Sequence, residues 1–225
     1  MAGRFPVKLS RPLRGAAEGP HVRAWKFLVF EGIDGSGKST QARMLAEALA
    51  RHEKMPVILT AEPSDGVVGM RLRSVGASLS PVEQMRLFAR DREDHLARTI
   101  VPALHRGHTV ICDRYVYSNL AYQGALGIPL EAILDANLPC AIDPDLVFLM
   151  ELDVDEALRR IRTTRRQGPS GFEGREFLTS VDAIYRSLES CRLVRMDGSN
   201  PAEVVHRRIL RVLEEKRGSA DPSYC

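Results

Sequence analysis

The stretch Gly32-Ile33-Asp34-Gly35-Ser36-Gly37-Lys38-Ser39, with Thr40 behind it, fits the spacing G-x-x-x-x-G-K-[ST]. Its position constrains the fold more than its spelling does. The apolar run Lys26 to Glu31 (KFLVFE) ends directly in the loop, and Lys38 to Arg51 follows with Ala42, Leu45, Ala46 and Leu49 at helical spacing. A buried strand, a glycine loop and a helix in that order let backbone N–H groups curl round a phosphate with no Cβ in the way. The new helix adds the partial positive charge of its N-terminus. Lys38 is then placed to reach the β- and γ-phosphates of a nucleotide, and the Ser39 hydroxyl to take a magnesium position. The loop implies nucleotide binding and leaves the reaction open.

Short apolar runs continue to alternate with helical stretches, the pattern of parallel β-α units. Met55 to Thr60, His108 to Cys112, Leu146 to Met150 and Arg192 to Met196 read as strands, the last at a sheet edge. Ser80-Pro81 followed by Glu83 reads as a helix start, with that helix running to His105 before Gly107. Further helices are expected over Asp155 to Arg162, Glu176 to Leu188 and Pro201 to Glu215. Between the first two of these, about 163–174, apolar residues give way to Arg165, Arg166, Gly168, Pro169, Gly171 and Gly174, a mobile basic loop by composition. One domain over 25–216 is expected, with a poorly ordered basic extension at 1–24 and an unstructured tail at 217–225.

Composition narrows the partners. A formal net charge of +3 is too small to argue for nucleic acid or a membrane surface, and no apolar stretch approaches a membrane span. The basic extension has no apolar block behind it, which a secretory signal requires. Cys112, Cys140, Cys191 and Cys225 are far apart with no C-x-x-C spacing, so four free thiols and a cytoplasmic setting are expected, without a zinc site.

The third strand ends in Asp113, placed to face the phosphate loop from the carboxyl end of the sheet and to meet magnesium through water. The residues after it read DRYVYSNLAYQG, from Asp113 to Gly124. Together with FEGIDGSGKSTQ at Phe30–Gln41, Glu62-Pro63, LFARDREDHL at Leu87–Leu96, Pro144-Asp145, and Phe172-Glu173 with Tyr185 behind them, this ordered set resembles the thymidylate kinases over nearly the whole chain. The resemblance implies a nucleoside monophosphate kinase fold, with five parallel strands flanked by helices. It also implies ATP and Mg²⁺ as cofactors, thymidine monophosphate as acceptor and a homodimer.

By that resemblance Arg114 grips the acceptor phosphate, which suits a planar, permanently charged fork. Phe88 stacks on the thymine, and Arg92, one helical turn away, bonds a base carbonyl. Asn119, Tyr122 and Gln123 lie near base and sugar, Glu62 and Pro63 border the acceptor, and Asp34 lies near the sugar 3′-hydroxyl. Because Gly35 and Ser36 stand where some relatives carry a loop arginine, the resemblance implies the type whose arginine comes from the lid, with Arg165 or Arg166 closing over the transferred phosphate. Ala61-Glu62-Pro63-Ser64-Asp65-Gly66 departs from the family's REPGG, so Arg71 or Arg73 is the candidate for the missing charge; the lid has Gly171 where an arginine is expected. Two other readings stay open: a kinase for dUMP or a 5-modified dUMP, and a nucleotide switch that transfers nothing.

Overall fold

A computed structural model describes residues 7–8, 26–52, 56–164 and 174–218. In chain order the elements are β1 (Val7–Lys8), β2 (Phe27–Glu31), α1 (Lys38–His52), β3 (Val57–Ala61), α2 (Val67–Val75), α3 (Pro81–His95), α4 (Val101–His105), β4 (Thr109–Asp113), α5 (Val116–Ala125), α6 (Leu130–Asn137), β5 (Leu146–Glu151), α7 (Val154–Thr164), α8 (Arg175–Ser187), β6 (Leu188–Glu189), β7 (Leu193–Asp197) and α9 (Ala202–Gly218). Five strands form a parallel sheet in the order β3-β4-β2-β5-β7, which puts Leu193–Asp197 at an edge, as its sequence suggests. Val7–Lys8 pairs separately with Leu188–Glu189.

The central strands are apolar on both faces because both are covered. Phe27 and Val29 of β2, Val110 and Cys112 of β4, and Val147 and Leu149 of β5 join one core, with Leu120, Leu178 and Tyr185 from the helices on that side. Leu28, Phe30, Ile111, Phe148 and Met150 point the other way, into a second core with Leu45 and Leu49 of α1 and Ile209 and Leu213 of α9. Each fully buried side chain of this size contributes roughly 2 kcal/mol of transfer free energy. The ends of β2 and β4 are thereby held rigidly side by side, and those ends carry the site.

The expected helix from Ser80 to His105 is present with a defect in it. Ser80 caps α3 in a reciprocal capping box with Glu83. At Leu96–Ile100 the ladder widens to a π turn, in which the Val101 N–H donates to Leu96 O, and α4 follows with Pro102 in its first turn. A proline ring inside a helix removes one N–H and crowds the preceding turn, and the π register accommodates it. Helix α2 leaves no amphipathic trace in the sequence, because only Gly69 and Leu72 are buried in it. Gly69 is required there: a Cβ would lie 2.0 Å from Ser64 O. Cys112 and Cys140 are free, whereas Cys191 is disulfide-bonded, which corrects the reading of four free thiols.

Candidate active site

The phosphate loop has the backbone its glycines permit. Gly32, Gly35 and Gly37 all sit at positive φ, and at Gly35 (φ 81°) a Cβ would also come within 2.5 Å of Ala157 O in α7. The loop therefore packs directly against α7. Ile33 is buried in the first core, Ser36 Oγ is buried with no partner among the described residues, and Ser39 and Thr40 are exposed at the start of α1. Lys38 is buried and its ammonium donates to Asp34 Oδ1 (3.2 Å) and Ile33 O (3.5 Å). Burial and the nearby Arg114 charge push the Lys38 pKa down, against the pull of Asp34 and Asp113. Ser39 Oγ donates to Asp113 Oδ2, while Asp113 Oδ1 is buried without a partner among the described residues.

Arg114 follows the end of β4 at φ 75°, the one non-glycine residue in the left-handed region among those described. That conformation costs an ordinary residue roughly 1–2 kcal/mol, so the surroundings must hold it. The guanidinium donates to Asp34 Oδ1 (2.6 Å), Tyr122 OH (3.2 Å) and Ser118 Oγ (3.1 Å), and lies 4.9 Å from the centre of the Tyr122 ring. Tyr122 OH in turn donates to Asp34 Oδ2 (3.2 Å). Burial favours the neutral form of Asp34, but the charges of Arg114 and Lys38 override it and hold the carboxyl well below the usual carboxylate range. One carboxylate thus bridges the two cations.

Behind this cluster lies Glu31, the last residue of β2, fully buried. Its Oε1 accepts from the backbone N–H groups of Tyr115 (2.7 Å) and Ser118 (3.2 Å), and its Oε2 from Ser118 Oγ (2.6 Å) and Tyr185 OH (2.9 Å).

A second buried network borders the cluster. Arg92 is 1% exposed, and its guanidinium donates to Glu62, Asn137 and Asn119 Oδ1 (2.6 Å) while lying over the Tyr115 ring. His95 links Glu62 to Thr60, and Gln123 joins Asn119 (3.0 Å) to Gln84 (3.4 Å). Arg92 Nε has no partner among the described residues. Phe88 is half-buried and belongs to neither apolar core. The Glu62-Pro63 turn is pinned by Asp91, which accepts from Ser64 N (2.7 Å) and Ser64 Oγ (2.6 Å), and by Arg73, which donates to Pro63 O (2.6 Å). Arg73 therefore spends its charge on the loop and on Asp65.

On the other side of the loop opens a cavity of about 770 Å³, lined by Asp34 to Gln41, by Glu156, Arg159 and Arg160 of α7, and by Gly198 to Ala202. Arg160 donates to Gly198 O (3.0 Å) and, with Arg159, to Glu156. A volume of this kind suits a nucleotide, with the loop amides at one end.

A family model described as thymidylate kinase matches residues 30–209. The chain belongs to the thymidylate kinase family. It is 37% identical over 193 residues to a thymidylate kinase of Desulfotalea psychrophila, covering 84% of this chain and 95% of that protein. It is 42% identical over 183 residues to a thymidylate kinase of Xanthomonas campestris pv. campestris, covering 80% and 79%. A probable thymidylate kinase of Thermococcus kodakarensis is 38% identical over 206 residues, covering 85% and 98%.

Of the residues that the sequence singles out, by motif or by resemblance, Asp34, Lys38, Arg114 and Tyr122 form one bonded cluster, and Ser39 meets Asp113 beside it. Glu62, Arg92, Asn119 and Gln123 form the adjoining network. Arg165 and Arg166 lie outside the described residues. Arg159 and Arg160 carry no local signal in the sequence, since arginines beside the apolar stripe of an amphipathic helix are ordinary there. Glu31 was passed over because a strand-end carboxylate has no local signal to mark it as buried.

Burial pushes the Glu31 carboxyl up to about 7, against the bonds from Ser118 and the charge of Arg114. The sign follows from linkage. A pKa above the unfolded value of 4.5 means that the stabilisation is complete below about 4.5 and is lost as pH rises through about 7. The loss is on the order of 3 kcal/mol. Urea denaturation at pH 5 and pH 8.5 is expected to show a smaller fall in stability for Glu31→Gln than for the parent. Equal falls would contradict it.

Proposed function

We propose that the protein transfers the γ-phosphoryl group of ATP to thymidine monophosphate, giving ADP and thymidine diphosphate, from a single kinase domain over 25–216. Membership of the thymidylate kinase family supports this reading. The observation that carries it is the Asp34 bridge, which sets Arg114, the proposed acceptor clamp, one carboxylate away from Lys38 of the donor loop. A nucleotide switch has no use for a second phosphate clamp.

In the transfer, an oxygen of the acceptor phosphate attacks the γ-phosphorus in line. A new P–O bond forms as the bond to the bridging β,γ oxygen breaks, and the electron pair leaves on ADP. The transition state is diffuse and highly charged, so the protein's work is positioning and charge neutralisation. Loop amides and Lys38 hold the donor phosphates. The Arg114 fork holds the acceptor phosphate, with Asp34 and Tyr122 orienting it from below. Arg159, Arg160 and the lid residues Arg165 and Arg166 are the candidates for added charge over the transferred group. Phe88 and Arg92 would meet the base, with Asn119, Tyr122 and Gln123 beside it and Glu62 and Pro63 at its edge.

The residues present fit Mg²⁺. Asp113 Oδ1 is a buried acceptor without a partner among the described residues, next to the exposed Ser39 hydroxyl. One carboxylate, one hydroxyl and phosphate oxygens are what a cation that keeps several waters takes. Ser39 and Asp113 would hold it, and when bound it neutralises charge on the β- and γ-phosphates. The exposed Val67, Met70 and Val75 of α2 and Val82 of α3 support a homodimer through that face.

A coupled assay of ADP release with dTMP, dUMP, dCMP and no acceptor tests the reading. Turnover is expected to be fastest with dTMP and absent without acceptor. Faster turnover with dUMP would move the assignment to another pyrimidine monophosphate, and equal release without acceptor would favour the switch.

A further inference from the structure

The turn that presents Arg114 is not self-supporting. Helix α5 has Tyr115 as its N-cap, with no side-chain cap bond of its own, and Arg114 immediately before it is held at φ 75°. Unbonded N–H groups at a buried helix start would be costly. Glu31, from the neighbouring strand, supplies the acceptor for the Tyr115 N–H and a second one for the Ser118 N–H, which also bonds Tyr115 O at 3.1 Å. Its Oε1 takes the N–H groups of Tyr115 and Ser118, the N-cap and third helical positions. Its Oε2 takes the proton of Ser118 Oγ, which turns the lone pairs of that hydroxyl toward Arg114 NH1 at 3.1 Å. The result is a relay from guanidinium to hydroxyl to carboxylate, each bond polarising the next. Tyr185 of α8 closes the same carboxylate from behind: its hydroxyl donates to Oε2 at 2.9 Å and lies 3.0 Å from Ser118 Oγ.

We propose that Glu31 is a positioning residue for acceptor binding: its carboxylate caps α5 from the adjacent strand and, through Ser118 Oγ, fixes the Arg114 guanidinium in its clamp orientation. This rests on the reading of Arg114 as the acceptor clamp. Glu31 is fully buried behind the Arg114 cluster, so its role is to position that cluster and not to meet a nucleotide. It sits one residue before Gly32, so the same carboxylate ties the start of the donor loop to the acceptor turn.

Glutamine is nearly isosteric with glutamate but cannot accept at both ends. If its NH₂ faces the Tyr115 and Ser118 amides, donors meet donors and the cap is lost. If its NH₂ faces Ser118 Oγ, it takes the lone pairs that Arg114 uses. Either way the guanidinium loses its fixed orientation while the donor loop keeps its contacts. Ser118→Ala is the second variant: it removes the relay to Arg114 and leaves the backbone cap of Glu31 in place.

The test is a set of steady-state measurements at pH 8.5, where the Glu31 carboxyl is ionised, with each nucleotide varied in turn, on Glu31→Gln, Ser118→Ala and the double variant. Glu31→Gln is expected to raise the KM for dTMP about tenfold and Ser118→Ala several-fold, with the KM for ATP within about twofold of the parent in both. The double variant is expected to fall well short of the product of the single effects, because both changes break one relay. A dTMP KM unchanged in both single variants would overturn the proposal, as would equal rises for both nucleotides, the mark of a general structural effect. Should Glu31→Gln fail to fold, Ser118→Ala decides alone by the same split. Arg114→Ala measured alongside separates the two readings. If it leaves the dTMP KM unchanged, the clamp itself falls; if it raises that KM while Glu31→Gln and Ser118→Ala do not, only the role of Glu31 falls.

Discussion

Lys38→Ala is expected to lower kcat by roughly a thousandfold, with the fold retained. The ammonium is the side-chain cation that the phosphate loop itself supplies, and it comes from a buried position where few waters compete with a phosphate oxygen for it. Its loss removes charge stabilisation that grows as the γ-phosphoryl departs, so kcat falls more than ATP binding. The fold survives because Asp34, its partner, keeps the bond to Arg114 and the hydroxyl of Tyr122. Single-turnover quench with labelled ATP, beside a thermal melt, checks both parts. A kcat within tenfold of the parent would remove Lys38 from the catalytic residues.

Arg114→Ala is expected to lower kcat/KM for dTMP by roughly a thousandfold, about 4 kcal/mol in transition-state stabilisation. Two features make the loss large. The guanidinium is pre-oriented by Asp34, Tyr122 and Ser118, so little rotamer entropy is left to lose on binding a phosphate. It is also a fork, able to bond two phosphate oxygens at once. Arg114→Lys is expected to recover only a small part of the activity, since an ammonium cannot reach Asp34, Ser118 and a phosphate in one geometry. Steady-state kinetics with dTMP varied at saturating ATP reads the effect.

The phosphate loop was legible because its chemistry demands glycines at fixed spacing between an apolar run and a helix, a local signal. The sheet was legible because β2, β4 and β5 are buried on both faces and therefore read as unbroken apolar runs. Arg114, Asp34 and Tyr122 were identified singly, from the resemblance; their bonding to one another depends on packing between residues about 80 positions apart and could not be read locally. The same limit hid Asn137 of α6, which joins the Arg92 network from another element, and the contact of His95, three residues after Arg92 in α3, with Glu62. It hid Glu31 most completely, because glutamate is seldom fully buried and only the turn after β4, at the carboxyl end of the sheet, makes it so. Helix α2 was missed for the opposite reason: its apolar residues Val67 and Met70 are exposed, so no buried stripe marks it.

The central claim is that Arg114 grips the acceptor phosphate while the loop around Lys38 grips the donor. Calorimetric titration of dTMP, and separately of ATP, into the parent protein and Arg114→Ala tests it most directly. A loss of dTMP affinity on the order of a hundredfold is predicted, with ATP affinity within about twofold. Equal dTMP affinity in the two proteins would contradict the assignment.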